Sequence, residues 1–260
     1  MASVLYEHPL NERIRNYLKL EQLFAQVNIC APINDASTEK SSTTCNIITN
    51  QHVFFNALFA IIDTLERNDI RGDLIKDLEK LEQNLVLWSK SPNIDNGALE
   101  NNLTETVELV AKLRANTPTW WQLKEDKLLA SLKQRFAIQG GNSSFDLPQL
   151  HFWLHQTAEN TNHDIMRWLG FLTDISRALA LVLKFIRQRS PFEEVETDSG
   201  FYQDNGEGLL LLRIKLLNNA QFYPTVSGNK FRYSIRFMLP CQHTGRRYSN
   251  QATKFQLARC

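Results

Sequence analysis

His151 and His155, four residues apart, are the nearest approach to a metal or catalytic motif in the sequence. On a helix, positions i and i+4 share a face, as a pair of zinc ligands requires. The intervening Phe152, Trp153 and Leu154 leave no place for the glutamate of H-E-x-x-H, and no third ligand follows. The pair therefore reads as structural or surface histidines. The nucleophile elbow G-x-S-x-G, the phosphate loop G-x-x-x-x-G-K-[ST] and the dinucleotide fingerprint G-x-G-x-x-G are all missing, and Gly140-Gly141 follows a helical pattern instead of opening one. No catalytic residue, metal or cofactor is expected.

Charge is the stronger signal. From Gly208 to Cys260 there are nine basic residues (Arg213, Lys215, Lys230, Arg232, Arg236, Arg246, Arg247, Lys254, Arg259) and no acidic one. The formal net charge of +1 thus averages a segment of +9 and a remainder, residues 1–207, of −8. Such asymmetry bears on partners. Within the basic segment the hydrophobic period is two: Leu210, Leu212, Ile214 and Leu216 alternate with Leu211, Arg213 and Lys215. Phe231, Tyr233, Ile235, Phe237 and Leu239 alternate with Arg232, Ser234, Arg236 and Met238, after turn chemistry at Gly228-Asn229. Side chains at i and i+2 share a sheet face. If the two strands pair with apolar faces inward, Arg213, Lys215, Arg232 and Arg236 share one exposed face, suited to an acidic partner. A solvated sheet face or a protected edge gives the same alternation. Nucleic acid is the alternative acidic partner, but Phe231, Tyr233 and Phe237 fall on the face opposite the arginines, whereas a stacking platform presents both together.

The elements that carry these residues divide into two kinds. From about Pro9 to Arg189 the spacing is helical. Asn11 caps a stripe of Ile14, Tyr17, Leu18, Leu20, Phe24 and Val27; further stripes run from Val53 to Leu65, Ile70 to Trp88 and Leu99 to Leu113. Thr117-Pro118 opens a helix to about Phe136, Ser144 and Asp146 cap a short helix Pro148–His155, and His163 to Arg189 reads as one central buried helix. All five tryptophans fall in this part, where they are expected in the core. The Ser- and Thr-rich stretch Asn34 to Asn50 reads as a loose loop, and Glu193, Glu194, Glu196 and Asp198 as an acidic linker. The expected organisation is α+β: a helical domain, residues 10–190, of about six to seven helices, and a small antiparallel sheet domain, residues 191–260. Lys254–Ala258 adds a short strand to that sheet, and residues 1–9 add another through Val4-Leu5-Tyr6.

Hydrophobic content of 43% with 10% aromatic residues places the chain among folded proteins. No apolar run approaches the ~20 residues that span a bilayer, and the opening residues lack the pattern of a secretory signal. Four scattered cysteines without a C-x-x-C pair suit free thiols in a reducing compartment. A cytosolic protein is expected.

Several strings, in order, resemble one family. Tyr6-Glu7-His8-Pro9-Leu10-Asn11-Glu12 is similar to its opening motif. Ser144-Phe145-Asp146-Leu147-Pro148, continued by Leu150-His151 and Trp153-Leu154-His155, is similar to its central one. Gly200-Phe201-Tyr202-Gln203-Asp204-Asn205, and the run from Tyr223-Pro224 through Ser227-Gly228 and Arg232 to Ile235-Arg236-Phe237, complete the match. The family is the ZapD group of bacterial cell-division proteins, and the resemblance covers nearly the whole chain. It implies a cytoplasmic, non-enzymatic homodimer that gathers at midcell, binds the C-terminal tail of the tubulin-like GTPase FtsZ through basic residues, bundles FtsZ protofilaments and lowers GTPase turnover. Neither a membrane nor nucleic acid is an implied partner. Arg232, Arg236, Arg67, Arg71 and His151 match the family's positions for this contact. Lys19 and Lys127 stand where the family has arginine; the charge survives, but the planar two-pronged contact with a carboxylate does not. The polar stretch Ser37–Thr49 is longer than in the family and reads as a tolerated surface insertion.

Overall fold

The computed structural model describes residues 3–30, 42–89, 96–115, 117–141, 143, 145–217 and 220–260. In chain order these form β1 (Ser3–Pro9), α1 (Glu12–Cys30), α2 (Ser42–Arg67), α3 (Ile70–Trp88), α4 (Asn96–Leu113), a 3-10 turn (Thr119–Trp121), α5 (Gln122–Glu125), α6 (Lys127–Phe136), α7 (Pro148–Leu154), α8 (Ala158–Gly170) and α9 (Thr173–Gln188). The strands β2 (Glu193–Thr197), β3 (Phe201–Asn205), β4 (Leu211–Leu217), β5 (Tyr223–Gly228), β6 (Arg232–Cys241), β7 (Gly245–Tyr248) and β8 (Thr253–Arg259) follow. The chain is α+β, and by contacts it divides into two compact units: Lys19–Val182, and Met1–Leu18 with Leu183–Cys260.

The helical unit has more and shorter pieces than the periodicity suggests, so the described residues hold nine α-helices instead of six or seven. The Thr117–Phe136 pattern breaks at Asp126, whose extended backbone lets its carboxylate accept the Leu129 N–H at 3.0 Å and cap α6. His163–Arg189 is two helices, because the chain turns at Phe171 and Leu172. Leu172 is itself buried, so the turn does not interrupt the apolar pattern that a sequence reading follows. Conversely, α2 begins at Ser42, inside the stretch that composition assigns to a loop; its backbone kinks at Asn50 and continues. Propensity is a weak prior that a neighbouring helix can override. The remainder of that stretch, with positions 37–41 of the insertion, lies outside the described residues, as does Ser144. Asp146 does not cap α7: the N-cap position is Leu147, without a side-chain bond, and Pro148 opens the helix.

The core of this unit centres on α2. Phe55 meets Phe54, Phe59, Phe136, Trp153 and Trp168 at ring-centroid distances of 5.2–6.2 Å. Trp120, Trp153 and Trp168 are buried, whereas Trp88 and Trp121 are 44% and 50% exposed and are not core residues.

The second unit holds all eight strands, in two antiparallel four-stranded sheets and not one small sheet. The first has the order β1-β4-β8-β2; the second has β3-β6-β5, with β7 also beside β6. Leu212, Ile214 and Leu216 from one sheet and Tyr233, Ile235 and Phe237 from the other join Leu10, Phe255 and Leu257 in one core. Each sheet therefore has one face toward this core and one face outward. The acidic segment is not a linker: Glu193–Thr197 is β2, in register with the basic β8, and Glu196 meets Lys254 at 3.3 Å. β4 and β6, each alternating as expected, belong to different sheets. Arg213 and Lys215 consequently do not share a face with Arg232 and Arg236, because alternation fixes the face of a strand but not its partner. Met238, expected on the exposed face, is buried, in register between Tyr223 of β5 and Tyr248 of β7. Phe231 lies before β6 and is exposed, not core.

Candidate binding surface

The acid-free segment finds part of its counter-charge elsewhere in the sheet unit. Glu7 of β1, opposite Arg213 in register, accepts Arg213 Nε at 2.9 Å and Arg187 Nη2 at 2.6 Å. Arg259 bonds Glu193 at 2.6 Å and lies 3.3 Å from Asp204. Lys254 is paired with Glu196. Three of the nine cations are thereby neutralised, and Lys215 rests over the Phe192 ring at 3.7 Å. Lys230, Arg232, Arg236, Arg246 and Arg247 have no carboxylate partner among the described residues, and all five lie in or beside β6 and β7.

The outward face of the second sheet is built residue by residue around β6. Asn229 accepts the N–H groups of Phe231 and Arg232 through its side chain, at 2.9 and 3.1 Å, and so fixes where Arg232 enters the strand. Across β6, Asn205 stands opposite Arg232, Gln203 opposite Ser234, and Phe201 opposite Arg236. On the other side Ser227 faces Ser234 and Thr225 faces Arg236. Directly opposed residues share a face, so two cations, one aromatic ring and several hydroxyls and amides lie together. Beside Arg232 a cavity of about 290 Å³ is lined by Gln203, Ser227, Asn229 and Ser234. The Arg236 guanidinium carbon lies 4.8 Å from the Phe201 ring centroid and 4.5 Å from that of Tyr248.

Gly200 sets that arrangement. The Phe237 N–H donates to the Gly200 carbonyl and the Ser249 N–H to the Phe237 carbonyl, so the start of β3 and the end of β7 meet at one residue of β6. A Cβ at Gly200 would come within 2.3 Å of the Ser249 carbonyl oxygen, and its φ of +64° is also one that glycine adopts readily. A side chain there would push the start of β3 away from the end of β7, the two segments that bring Phe201 and Tyr248 to Arg236 along one edge of β6. Beneath the face, Arg259 donates to the Tyr202 and Tyr233 hydroxyls at 2.9 and 3.1 Å, tying β8 to β3 and β6. Burial pushes the Tyr233 hydroxyl well above the usual tyrosine range. The Tyr202 hydroxyl and the Asn205 N–H hold the Asp204 carboxyl below its ordinary value, so Asp204 stays an anion inside the network.

The other candidates lie in the helical unit. Arg67 is exposed at the end of α2. Arg71 of α3 donates its Nε to the Leu113 carbonyl and Nη2 to that of Ala115, both at 2.5 Å, so its guanidinium satisfies orphan carbonyls at the end of α4. Lys127, the first residue of α6, is exposed and is placed by Asp126, which also accepts Trp168 Nε1 and Arg167 Nη2 at 2.9 Å. His151 is exposed on α7; its ring lies 4.4 Å from that of His155, whose Nδ1 is 2.8 Å from the His151 carbonyl oxygen. Trp153 Nε1 anchors α7 by donating to Asp164 of α8 at 2.9 Å. Lys19 is exposed on α1. The structure thus brings Arg232 and Arg236 onto one face, leaves Arg67, Lys127, His151 and Lys19 on surfaces, and engages Arg71 internally. Phe201 and Tyr248 are the residues a reading of β6 alone misses; the alternation of Phe201, Gln203 and Asn205 is the signal that places β3 beside it.

The chain is thus a two-unit α+β protein whose sheet unit carries a basic face without carboxylate partners among the described residues. Residues 18–236 match the family profile described as ZapD, cell division protein. The chain is 39% identical over 259 residues to a protein of Idiomarina loihiensis named cell division protein ZapD, covering 99% of this chain and 96% of that one. It is 40% identical over 238 residues to the protein of the same name from Yersinia enterocolitica, covering 91% and 90%. The chain belongs to the ZapD family of cell division proteins. Among the described residues, no helix is long and apolar enough to cross a membrane.

Proposed function

We propose that this chain is a dimeric, non-enzymatic adaptor of cell division that acts in the cytoplasm at midcell by binding the C-terminal tail of FtsZ. Two sites per dimer hold tails from two filaments, which bundles protofilaments and lowers GTPase turnover. Family membership supports the reading, and the observation that carries it is the outward face of β6, where Arg232 and Arg236 stand with no carboxylate partner among the described residues. An acidic, flexible tail would find there both charge and hydrogen-bond donors. Ordering such a tail lowers the affinity per site, but a filament repeats its tails, so effective concentration makes modest sites productive. Arg67, Lys127, His151 and Lys19 are further candidate contacts on the helical unit in this reading, while Arg71 is engaged by the end of α4. Arg232→Glu combined with Arg236→Glu should abolish FtsZ bundling measured by light scattering, with an unchanged circular dichroism spectrum. Bundling at the native level would remove this face from the site.

A further inference from the structure

Arg232 and Arg236 are four residues apart on one strand, a separation of about 13 Å at the rise of an antiparallel strand. Between them lies Ser234, flanked by Gln203 and Ser227. The Arg236 guanidinium lies over the rings of Phe201 and Tyr248 and makes no side-chain hydrogen bond among the described residues. A guanidinium stacked on aromatic faces keeps its in-plane N–H edge for a planar acceptor, and its rotamer is settled before binding.

We infer that this face reads an extended acidic segment whose carboxylates stand four residues apart, with Phe201 and Tyr248 as positioning residues that hold Arg236 for one of them. Arg232, beside its polar cavity, takes the other, and the hydroxyls and amides between them accommodate small polar side chains. An extended peptide repeats at the same rise as β6, so carboxylates four residues apart match the two arginines without strain. Single-stranded nucleic acid fits less well. Its bases need open aromatic faces, and the guanidinium of Arg236 covers one face of Phe201 and one of Tyr248. This inference rests on the proposed tail-binding role but makes a claim of its own about the chemistry the face selects.

The test is fluorescence anisotropy on the full chain with four probes: a Gly/Ser peptide with two glutamates four residues apart, the same composition with the glutamates adjacent, an FtsZ tail peptide, and a single-stranded oligothymidylate. The spaced peptide should bind several-fold tighter than the adjacent one. Phe201→Leu with Tyr248→Leu should weaken it about tenfold, as should Arg236→Lys, while Phe201→Tyr retains native affinity. Both rings are at the surface, and an unchanged circular dichroism spectrum, with a shifted Arg236 Nε–Hε resonance, separates loss of positioning from loss of fold. Equal affinity for the two glutamate peptides, native affinity in the double aromatic variant, or tighter binding of oligothymidylate would overturn the inference. If the spaced peptide binds as stated and the tail peptide does not, the inference stands and the FtsZ reading fails. If the tail peptide binds equally well to the double aromatic variant, the opposite holds.

Discussion

Arg71, Arg213 and Arg236 are each placed by their neighbours: Arg71 by carbonyls at the end of α4, Arg213 by Glu7, and Arg236 by two aromatic rings. The first two have their hydrogen-bonding capacity directed into the fold; Arg236 lies over two rings and makes no side-chain hydrogen bond among the described residues. Family resemblance marks Arg71 and Arg236 alike, and only the surroundings distinguish them. His8 shows the same dependence on context. Burial, with Arg15 beside it, holds the His8 imidazole below its ordinary value of 6.5. As pH falls through that value the unfolded chain takes up a proton that folded His8 resists, so the unfolded state binds more protons and stability declines. Urea unfolding between about pH 7.5 and 5.5 should therefore show a falling midpoint, with a shallower decline in His8→Gln. Identical slopes for the two chains would show that His8 contributes no such linkage.

Elements are joined by charge as well as by ladders. Glu7 of β1 binds Arg213 of β4 and Arg187 of α9, all three largely shielded from solvent. Glu7→Gln removes the carboxylate charge that both guanidiniums face and should cost about 2–3 kcal/mol, measured by chemical denaturation. Glu196→Gln, which breaks an exposed pair with Lys254, should change stability by less than the error of the same measurement. This contrast also explains what can be read from sequence. The helical stripes, β1, β4, β6, β8 and the Asn11 cap are legible because each is a local periodicity or a single local bond. β2 is not, since Glu-Glu-Val-Glu-Thr has one apolar residue and becomes a strand through its partner β8. The breaks at Asp126 and Phe171 escape because apolar spacing runs through both turns. Placing four cations on one face fails at pairing, a long-range fact: the phase of each cation within its own strand is right and the sheet assignment is not. In the candidate surface, Arg232 and Arg236 are legible by phase, while Phe201 and Tyr248 depend on β3 and β7 meeting at Gly200.

For the molecule as a whole, a formal charge of +1 conceals a sheet unit in which Glu7, Glu193, Glu196 and Asp204 of β1, β2 and β3 meet Arg213, Arg259 and Lys254, while the β6 and β7 cations have no carboxylate partner among the described residues. A protein of this kind can act as a cross-linker without chemistry of its own, provided it carries two such sites and its partner presents acidic segments in series. The proposed adaptor role depends on the tail and not on the body of the FtsZ filament. Co-sedimentation of this chain with polymerised FtsZ, intact and with its C-terminal tail deleted, separates the two. The chain should pellet with intact filaments and remain in the supernatant with tail-deleted ones; equal pelleting with both would contradict tail docking.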